Sequence, residues 1–280
     1  MYDVAIIGGG PGGYAAALYA HNFGLTVALV EKDQVGGTCL LRGCIPAKSW
    51  LQTAEVYSTV AESADFGVVS APPQVDWPAA LARKQKVVTG LVNGLSGLLK
   101  SRNVDVIDGY GRLVDGGVEV TAADGAAHRV EARNVIIATG SVPRTIPGYD
   151  IDGMRVVTSD QALDWSAQPS RVAVIGGGVI GCEFASFLSD LGTKVHLFEA
   201  LDSLLPGTEP EAVKVLERRF KKKKVKVHTG TMVGPAQVTA DGVVVPYGDD
   251  SVEVEVVLVA VGRAPVTSDL GLEEAGAVSY

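Results

Sequence analysis

The chain has 280 residues, 47% of them hydrophobic and 20% charged, with a net charge of −8 and three cysteines. That length suits two domains with a core each. The acidic balance excludes a broad nucleic-acid surface, which needs basic residues to neutralise phosphates, and three cysteines are too few for a disulfide-stapled secreted framework. No apolar run reaches the ~20 residues that span a bilayer, and the opening stretch has no basic leader or cleavage site, so a cytoplasmic protein with neither membrane nor nucleic-acid partner is expected.

The opening stretch, "YDVAIIGGGPGGYAAALYAHNFGLTVALVEK", reads as strand, glycine turn, helix, strand. The unbroken apolar run at 4–7 is the pattern of a parallel strand covered on both faces. Gly8, Gly10 and Gly13 fill a G-x-G-x-x-G pattern, an alanine-rich helix follows, and a second strand at 26–30 ends on Glu31. Glycines at this spacing let the backbone approach a pyrophosphate, the helix offers free N–H groups, and the acid accepts from ribose hydroxyls.

Next comes "GGTCLLRGCIPAK", residues 36–48, which holds Cys39 and Cys44. Residues five apart on a regular helix are separated by ~7.5 Å of axial rise, more than the ~4.4–6.8 Å between Cα atoms that a disulfide spans. A bond between these cysteines therefore needs a distorted segment, which Gly36, Gly37 and Gly43 permit, and a strained bond is readily reduced. Arg42 and Lys48 favour the thiolate form of a nearby cysteine. Two plainer readings compete. Buried apolar cysteines fit poorly beside Arg42, Lys48 and the glycines. Half a zinc site needs further ligands, whereas His21, His128, His196 and His228 read as scattered and unpaired and Cys182 stands alone.

Helical patterning over 79–102 and short strands at 104–107 and 118–121 lead to "NVIIATGSVPRTIPG", a buried strand ending in Gly140 and a linker, with a domain boundary near Pro147. The opening pattern then recurs as "SRVAVIGGGVIGCEFASFLSDLGTKVHLFEA". A strand at 172–175 precedes Gly176, Gly178 and Gly181, a helix follows, and a strand at 194–198 ends on Glu199. In both copies the acid lies eighteen residues after the last motif glycine. Gly181 and Glu199, with no arginine between Glu199 and Pro210, favour NAD over NADP. Beyond it, "EAVKVLERRF" reads as an amphipathic helix whose last turn takes the run Lys221 to Lys224, suited to the negative end of the helix dipole. The segment "EVVLVAVGRAPVTSDLGL" adds a closing strand and turn.

Taken together, "GGGPGG…VEK", "GGTCLLRGCIPAK", "IIATGSVP", "GGGVIGCEFAS" and "VLVAVGRAP" resemble the flavoprotein disulfide oxidoreductases, the family of lipoamide dehydrogenase, glutathione reductase and mercuric reductase. The resemblance covers essentially the whole chain and is strongest to the dihydrolipoyl dehydrogenase branch. It implies an α/β fold of two Rossmann-like dinucleotide-binding domains with parallel sheets: an FAD domain at 1–147 with the redox disulfide, an NAD domain at 148–268, and at 269–280 the start of a segment returning to the first domain. By position, Gly8, Gly10, Gly13, Glu31, Gly37, Thr38, Lys48, Gly111, Thr139 and Gly140 are expected to hold FAD. Gly176, Gly178, Gly181, Glu199, Val233 and Gly262 are expected to line NAD. Cys39 would exchange with substrate, Cys44 would face the flavin, and Lys48 would pair with Glu183; no metal is expected.

The implied activity is oxidation of dihydrolipoamide, free or on a lipoyl domain, with NAD as acceptor. Family members are homodimers whose interface domain, second FAD contact and general base would follow "EEAGAVSY", and these are expected to be absent from this sequence. Val266 and Leu41 depart from the family pattern. Mercuric or glutathione reductase-like enzymes are the alternatives within the family, and a non-catalytic dinucleotide-binding fragment is the alternative outside catalysis.

Overall fold

In the computed structural model, which describes residues 1–276, the chain opens on β1 (Tyr2–Ile7), α1 (Pro11–His21) and β2 (Val27–Glu31). Then come a short α2 (Gly37–Arg42), α3 (Cys44–Ala61) and the long α4 (Trp77–Ser101). They are followed by β3 (Asp105–Asp108), β4 (Tyr110–Val114), β5 (Gly117–Thr121) and β6 (Ala127–Ile137). These six strands make one sheet in the order β3-β2-β1-β6-β5-β4. The pairs among β3, β2, β1 and β6 are parallel, and β4, β5 and β6 pair antiparallel. The continuous apolar runs of β1 and β2 follow from burial on both faces. Val4, Ile6, Val27 and Leu29 pack with Leu99 and Val104, while Ala5, Ile7, Ala28 and Val30 pack with Val118, Val120 and Val130.

The second half runs through β7 (Ser141–Pro143), β8 (Val156–Val157), α5 (Ser159–Ala162), β9 (Arg171–Ile175), α6 (Val179–Asp190) and β10 (Lys194–Phe198). It continues with α7 (Pro210–Lys222), β11 (Lys226–His228), β12 (Gln237–Val238), β13 (Val243–Tyr247), β14 (Asp250–Val254), β15 (Val256–Val259) and β16 (Arg263–Pro265). A parallel sheet in the order β11-β10-β9-β15-β8 stands beside an antiparallel sheet of β12, β13 and β14. Val172, Val174, Leu197 and Leu258 pack with Phe184, Phe187 and Phe220 from α6 and α7. Ala173, Ile175, Phe198 and Val257 pack with Val243, Val245 and Val254.

Two compact units result. One comprises Met1–Ile45, Lys86–Val142 and the chain from Ala264 on; the other comprises Pro46–Gln85 and Pro143–Arg263. This division differs from a single boundary near Pro147, because residues 46–85 group with the second unit. The cause is aromatic packing. Trp50, 1% exposed, stacks on Trp77 at 4.3 Å and on Phe187 at 6.0 Å. Its Nε1–H donates to the Leu163 carbonyl (3.1 Å), the Trp77 Nε1–H donates to the Trp165 carbonyl (2.8 Å), and the buried Lys84 ammonium is held by Asp164.

Three further expectations are adjusted. The strand ending at Gly140 is not buried along its length, since Ile136 and Ile137 are 39% and 36% exposed. Residues 127–131 of β6 pair with β5 and 132–137 with β1, and past Ala132, whose N–H donates to the Gly116 carbonyl, the edge away from β1 has no strand partner among the described residues. Of the lysine run, Lys221 and Lys222 lie in the last turn of α7, whereas Lys223 is its C-cap and pairs with Asp190, and Lys224 turns left-handed at φ +60°. In the segment 269–280, the Leu270 carbonyl accepts from the Leu113 N–H at 2.8 Å within the first unit, and residues 277–280 lie outside the described residues. Trp50→Ala is expected to destabilise the protein by about 3–5 kcal/mol, the cost of a large aromatic cavity, measured as the loss in urea unfolding followed by circular dichroism.

Candidate dinucleotide cradles and thiol pair

The turn after β1 is built from close backbone contacts. Gly8 has φ +106°, and a Cβ there would stand 2.3 Å from the Ala138 carbonyl oxygen. A Cβ on Gly13 would fall 1.7 Å from the Gly8 carbonyl oxygen, so only glycine lets α1 sit down on the turn. Gly10 is the N-cap and Pro11 the first helical residue, which leaves the opening N–H groups of α1 without helical acceptors. At the end of β2 the Glu31 carboxylate accepts from Gly9 N–H (2.6 Å) and Asp33 N–H (2.9 Å). A carboxylate has about four acceptor positions, so two bonds leave room for ribose hydroxyls.

A cleft beside this turn is lined by Gly8, Glu31, Lys32, Tyr110, Gly111 and Thr139, among others. Gly111 sits on the ends of β1 and β2, where an added Cβ would meet Ile7 at 3.0 Å and Val30 at 3.1 Å. Thr139 Oγ1 donates to the Val266 carbonyl (2.6 Å), and Val266 N–H donates to Gly140, itself at φ +73°. The departure from the family pattern at position 266 thus leaves these main-chain bonds in place. Sequence reasoning missed Lys32, whose ammonium lies 5.8 Å from the centre of the Tyr110 ring, and Tyr110 itself. Their adjacency to Glu31 and Gly111 was the available signal.

In the second unit the same bonds recur. Gly176 has φ +110° and an added Cβ would stand 2.3 Å from the Ala260 oxygen; on Gly181 it would stand 1.9 Å from the Gly176 oxygen. Glu199 accepts from Gly177 N–H (2.6 Å) and Leu201 N–H (2.9 Å). Gly178 caps α6 with dihedral angles within a degree of those at Gly10. Val233 bridges to Tyr247, and Gly262, at φ +109°, accepts from Arg144 N–H. The copies differ in what lies over the turn. In the first, an added Cβ on Gly10 would meet Gly37 Cα at 3.6 Å; in the second, one on Gly178 would meet nothing within 4 Å. Both turns leave backbone N–H groups without helical acceptors, with a cleft beside the first and open space over Gly178 in the second, so the residues present fit a dinucleotide.

The thiol-bearing segment begins on the first turn. Gly36 N–H donates to the Gly9 carbonyl (2.8 Å), and Gly37, at φ +56°, faces Gly10 so closely that a Cβ would lie 2.5 Å from its Cα. Cys39 lies within α2, on which Thr38 also sits. Gly43, with φ −146° and ψ −112°, breaks the helix, and Cys44 starts α3. Cys39 is partly exposed and Cys44 exposed, so a reagent can reach both positions. The break at Gly43 is the distortion that the spacing required. Arg42 is held by Asp33, and Lys48, one turn after Cys44 on α3, is held by Glu183. Each cation therefore has a carboxylate partner of its own. Cys182 is inert by comparison: burial, then Glu199 and Glu183, push its thiol up to about 12, and its Sγ–H points at the Gly177 carbonyl. The histidines are not all scattered, since His196 Nδ1 and His228 Nε2 lie 3.3 Å apart. Among the described residues no three His, Cys, Asp or Glu side chains group as metal ligands.

Two glycine cradles, each with an acid at the end of its second strand, and a pair of cysteines on the segment that begins at the first cradle are the features to be compared with known proteins. The family model described as pyridine nucleotide-disulphide oxidoreductase matches residues 2–279, and the chain belongs to that family. It is 41% identical to a dihydrolipoyl dehydrogenase of Bacillus subtilis, covering 99% of this chain and 62% of that protein. It is also 41% identical to dihydrolipoyl dehydrogenase 3 of Pseudomonas putida, covering 98% and 61%. Among solved structures it resembles LpdA from Mycobacterium tuberculosis, with a TM-score of 0.90 and 32% identity over 96% of this chain and 60% of that one. The flavoprotein disulfide reductase RclA from Escherichia coli, solved as a Cu(II) complex, gives 0.85 and 28% over 98% and 59%. The chain spans about 60% of the length of these relatives.

The cradle geometry separates two kinds of glycine. Gly181→Ala is expected to cost more than about 2 kcal/mol, as overpacking against fixed backbone does, and Gly178→Ala less than about 1 kcal/mol, a helix-cap effect; urea unfolding of both variants checks the contrast. Alkylation with iodoacetamide at mildly alkaline pH is expected to modify Cys44 and spare Cys182 in the folded protein, read by peptide mass spectrometry.

Proposed function

We propose that the chain binds FAD on the first cradle and NAD on the second and carries the dithiol-oxidising half of a dihydrolipoyl dehydrogenase. The observation that supports this best is the bond from Gly36 N–H to the Gly9 carbonyl, which starts the thiol segment on the loop where a flavin dinucleotide's phosphates would rest. Gly8, Gly10, Gly13, Glu31, Gly37, Thr38, Lys48, Gly111, Thr139 and Gly140 would hold FAD, and Gly176, Gly178, Gly181, Glu199, Val233 and Gly262 would hold NAD. When bound, the flavin supplies the electron exchange between thiols and nicotinamide.

The chain's own part is thiol chemistry. With Cys39 and Cys44 oxidised to a disulfide, a substrate thiolate attacks Cys39 Sγ, the Cys39–Cys44 bond breaks, and Cys44 leaves as a thiolate. The second substrate thiol then attacks the mixed disulfide, which releases the substrate as a cyclic disulfide and Cys39 as a thiolate. One disulfide is consumed and one formed, and the two protons given up by the substrate thiols, once taken up by the pair, leave it as a dithiol. Lys48, four residues after Cys44 on one helix, is one turn away on the same face, and the Glu183 carboxylate holds its ammonium. Glu199, already engaged by two backbone N–H groups, would accept from the ribose of NAD and repel a 2′-phosphate.

The dithiol would be dihydrolipoamide, free or on a lipoyl domain, in a cytoplasmic homodimer; the dihydrolipoyl dehydrogenase relatives support that substrate. A second reading, dinucleotide binding without turnover by this chain alone, is favoured by its span of about 60% of those relatives. One experiment separates them. The FAD-loaded chain treated with dihydrolipoamide is expected to gain long-wavelength absorbance from a thiolate beside the flavin, and Cys44→Ser is expected to abolish it while leaving NAD binding intact. An unchanged spectrum in the loaded wild-type chain would leave only the binding function.

A further inference from the structure

Four ring side chains form a layer at one edge of the second unit. β10 and β11 run parallel in register, with His196 beside Lys226 and Phe198 beside His228. The two imidazoles have centroids 5.5 Å apart and planes 11° apart, with Nδ1 of His196 3.3 Å from Nε2 of His228. They therefore meet nearly in plane and edge to edge, with a single proton between the facing nitrogens. His228 stacks on Phe198 at 4.5 Å, and Tyr247 of β13 leans on both Phe198 and His228 at 5.0 Å.

This layer stands directly before the acid of the second cradle. Glu199 follows Phe198, and its N–H donates to the His228 carbonyl at 2.9 Å. The turn that follows His228 is tied back to the same place: Thr231 N–H donates to the Glu199 carbonyl (3.0 Å), Gly230 N–H donates to Leu201 (2.8 Å), and Val233 bridges to Tyr247. We propose that the His196–His228 pair is a positioning element for the second dinucleotide site, holding Glu199 and the turn 228–233 in place while neutral and loosening them in acid. The proposal rests on the dinucleotide reading of that cradle.

The facing pair holds one proton; two imidazolium rings would oppose N–H to N–H. The charged and titratable groups around it do little to ease that conflict. Lys226 lies on β11 beside His196 and Tyr247 on β13, and the cleft over His228 is lined by Glu217 and Lys221 of α7 and by Lys224 and Lys226. Burial, followed by neighbouring positive charge, holds both rings below the ordinary histidine value of 6.5. The sign follows: below that value a loosened arrangement binds more protons than the closed one, so the closed arrangement is fully favoured above 6.5 and loses ground as pH falls.

The test uses the full chain and two variants, His196→Gln and His228→Gln, whose amides keep a hydrogen-bonding group but do not titrate. NAD affinity of the wild type, by calorimetry, is expected to be level above about pH 7 and to weaken at least about tenfold by about pH 5.5, the range in which histidine charges. Each variant is expected to weaken by less than about threefold over that range. In parallel, hydrogen exchange in the ligand-free chain, corrected for the intrinsic pH dependence, is expected to show the Gly230 and Thr231 amides losing protection in acid in the wild type only. Level wild-type affinity and protection, or variants that titrate like the wild type, would overturn the proposal. Loss of protection in acid by a chain that binds no NAD even at neutral pH would uphold the pair as a latch on the turn and overturn the dinucleotide reading instead.

Discussion

The contact on which the structure turns is that of a glycine against a carbonyl. Gly13 lies so near the Gly8 oxygen, and Gly181 so near the Gly176 oxygen, that a single methyl group at either would have to stand within 2 Å of an oxygen. That approach seats each helix on the end of its strand and leaves the helix's opening N–H groups facing outward. The acid follows from the same arrangement, because the neighbouring strand must end level with the turn for Glu31 to reach Gly9 and for Glu199 to reach Gly177. The repeated distances across two stretches of different sequence indicate that the cradle is determined by backbone contacts and by few side chains.

The copies diverge in what the chain does next, and this is where chemistry is distributed. After Glu31 the chain reaches Gly36 and Gly37, both with positive φ, and lays a short helix with Cys39 onto the turn. After Glu199 it reaches Leu205, also at positive φ, whose N–H bonds to Gly177 in the way Gly36 bonds to Gly9. A bulky residue in that conformation carries about 1–2 kcal/mol of strain, and packing against the core of the second unit offsets it. The first turn is thus covered by the cysteine-bearing segment, the second by an apolar loop that leaves the space at Gly178 open.

Much of this was legible in the sequence because it is local. Both glycine patterns, both acids and the helix-breaking character of the cysteine segment depend on residues within thirty or so of one another. What could not be read depends on pairs far apart in the chain. Trp50 and Leu163, or Lys48 and Glu183, meet through tertiary packing with no periodic trace in the sequence; the second pair was expected only from resemblance to relatives. His196 and His228 looked isolated because their closeness arises from two strands joined by a helix. The exposed Ile136 and Ile137 were misread for a related reason. An apolar run announces a strand but does not say whether the chain provides anything to cover it.

The aromatic packing of residues 46–85 has a consequence for how the molecule can be observed. All three tryptophans of the chain, Trp50, Trp77 and Trp165, lie in the second unit, with Trp50 stacked on Trp77 and Trp165 against Phe184. Indole emission is therefore a private signal of that unit. The first unit carries tyrosines and no indole, so it can loosen or unfold without altering intrinsic tryptophan fluorescence directly. Melting curves recorded at indole wavelengths follow the second unit alone, whereas tyrosine reports both units, since Tyr57, Tyr149 and Tyr247 lie in the second, so a tyrosine transition without an indole counterpart belongs to the first unit.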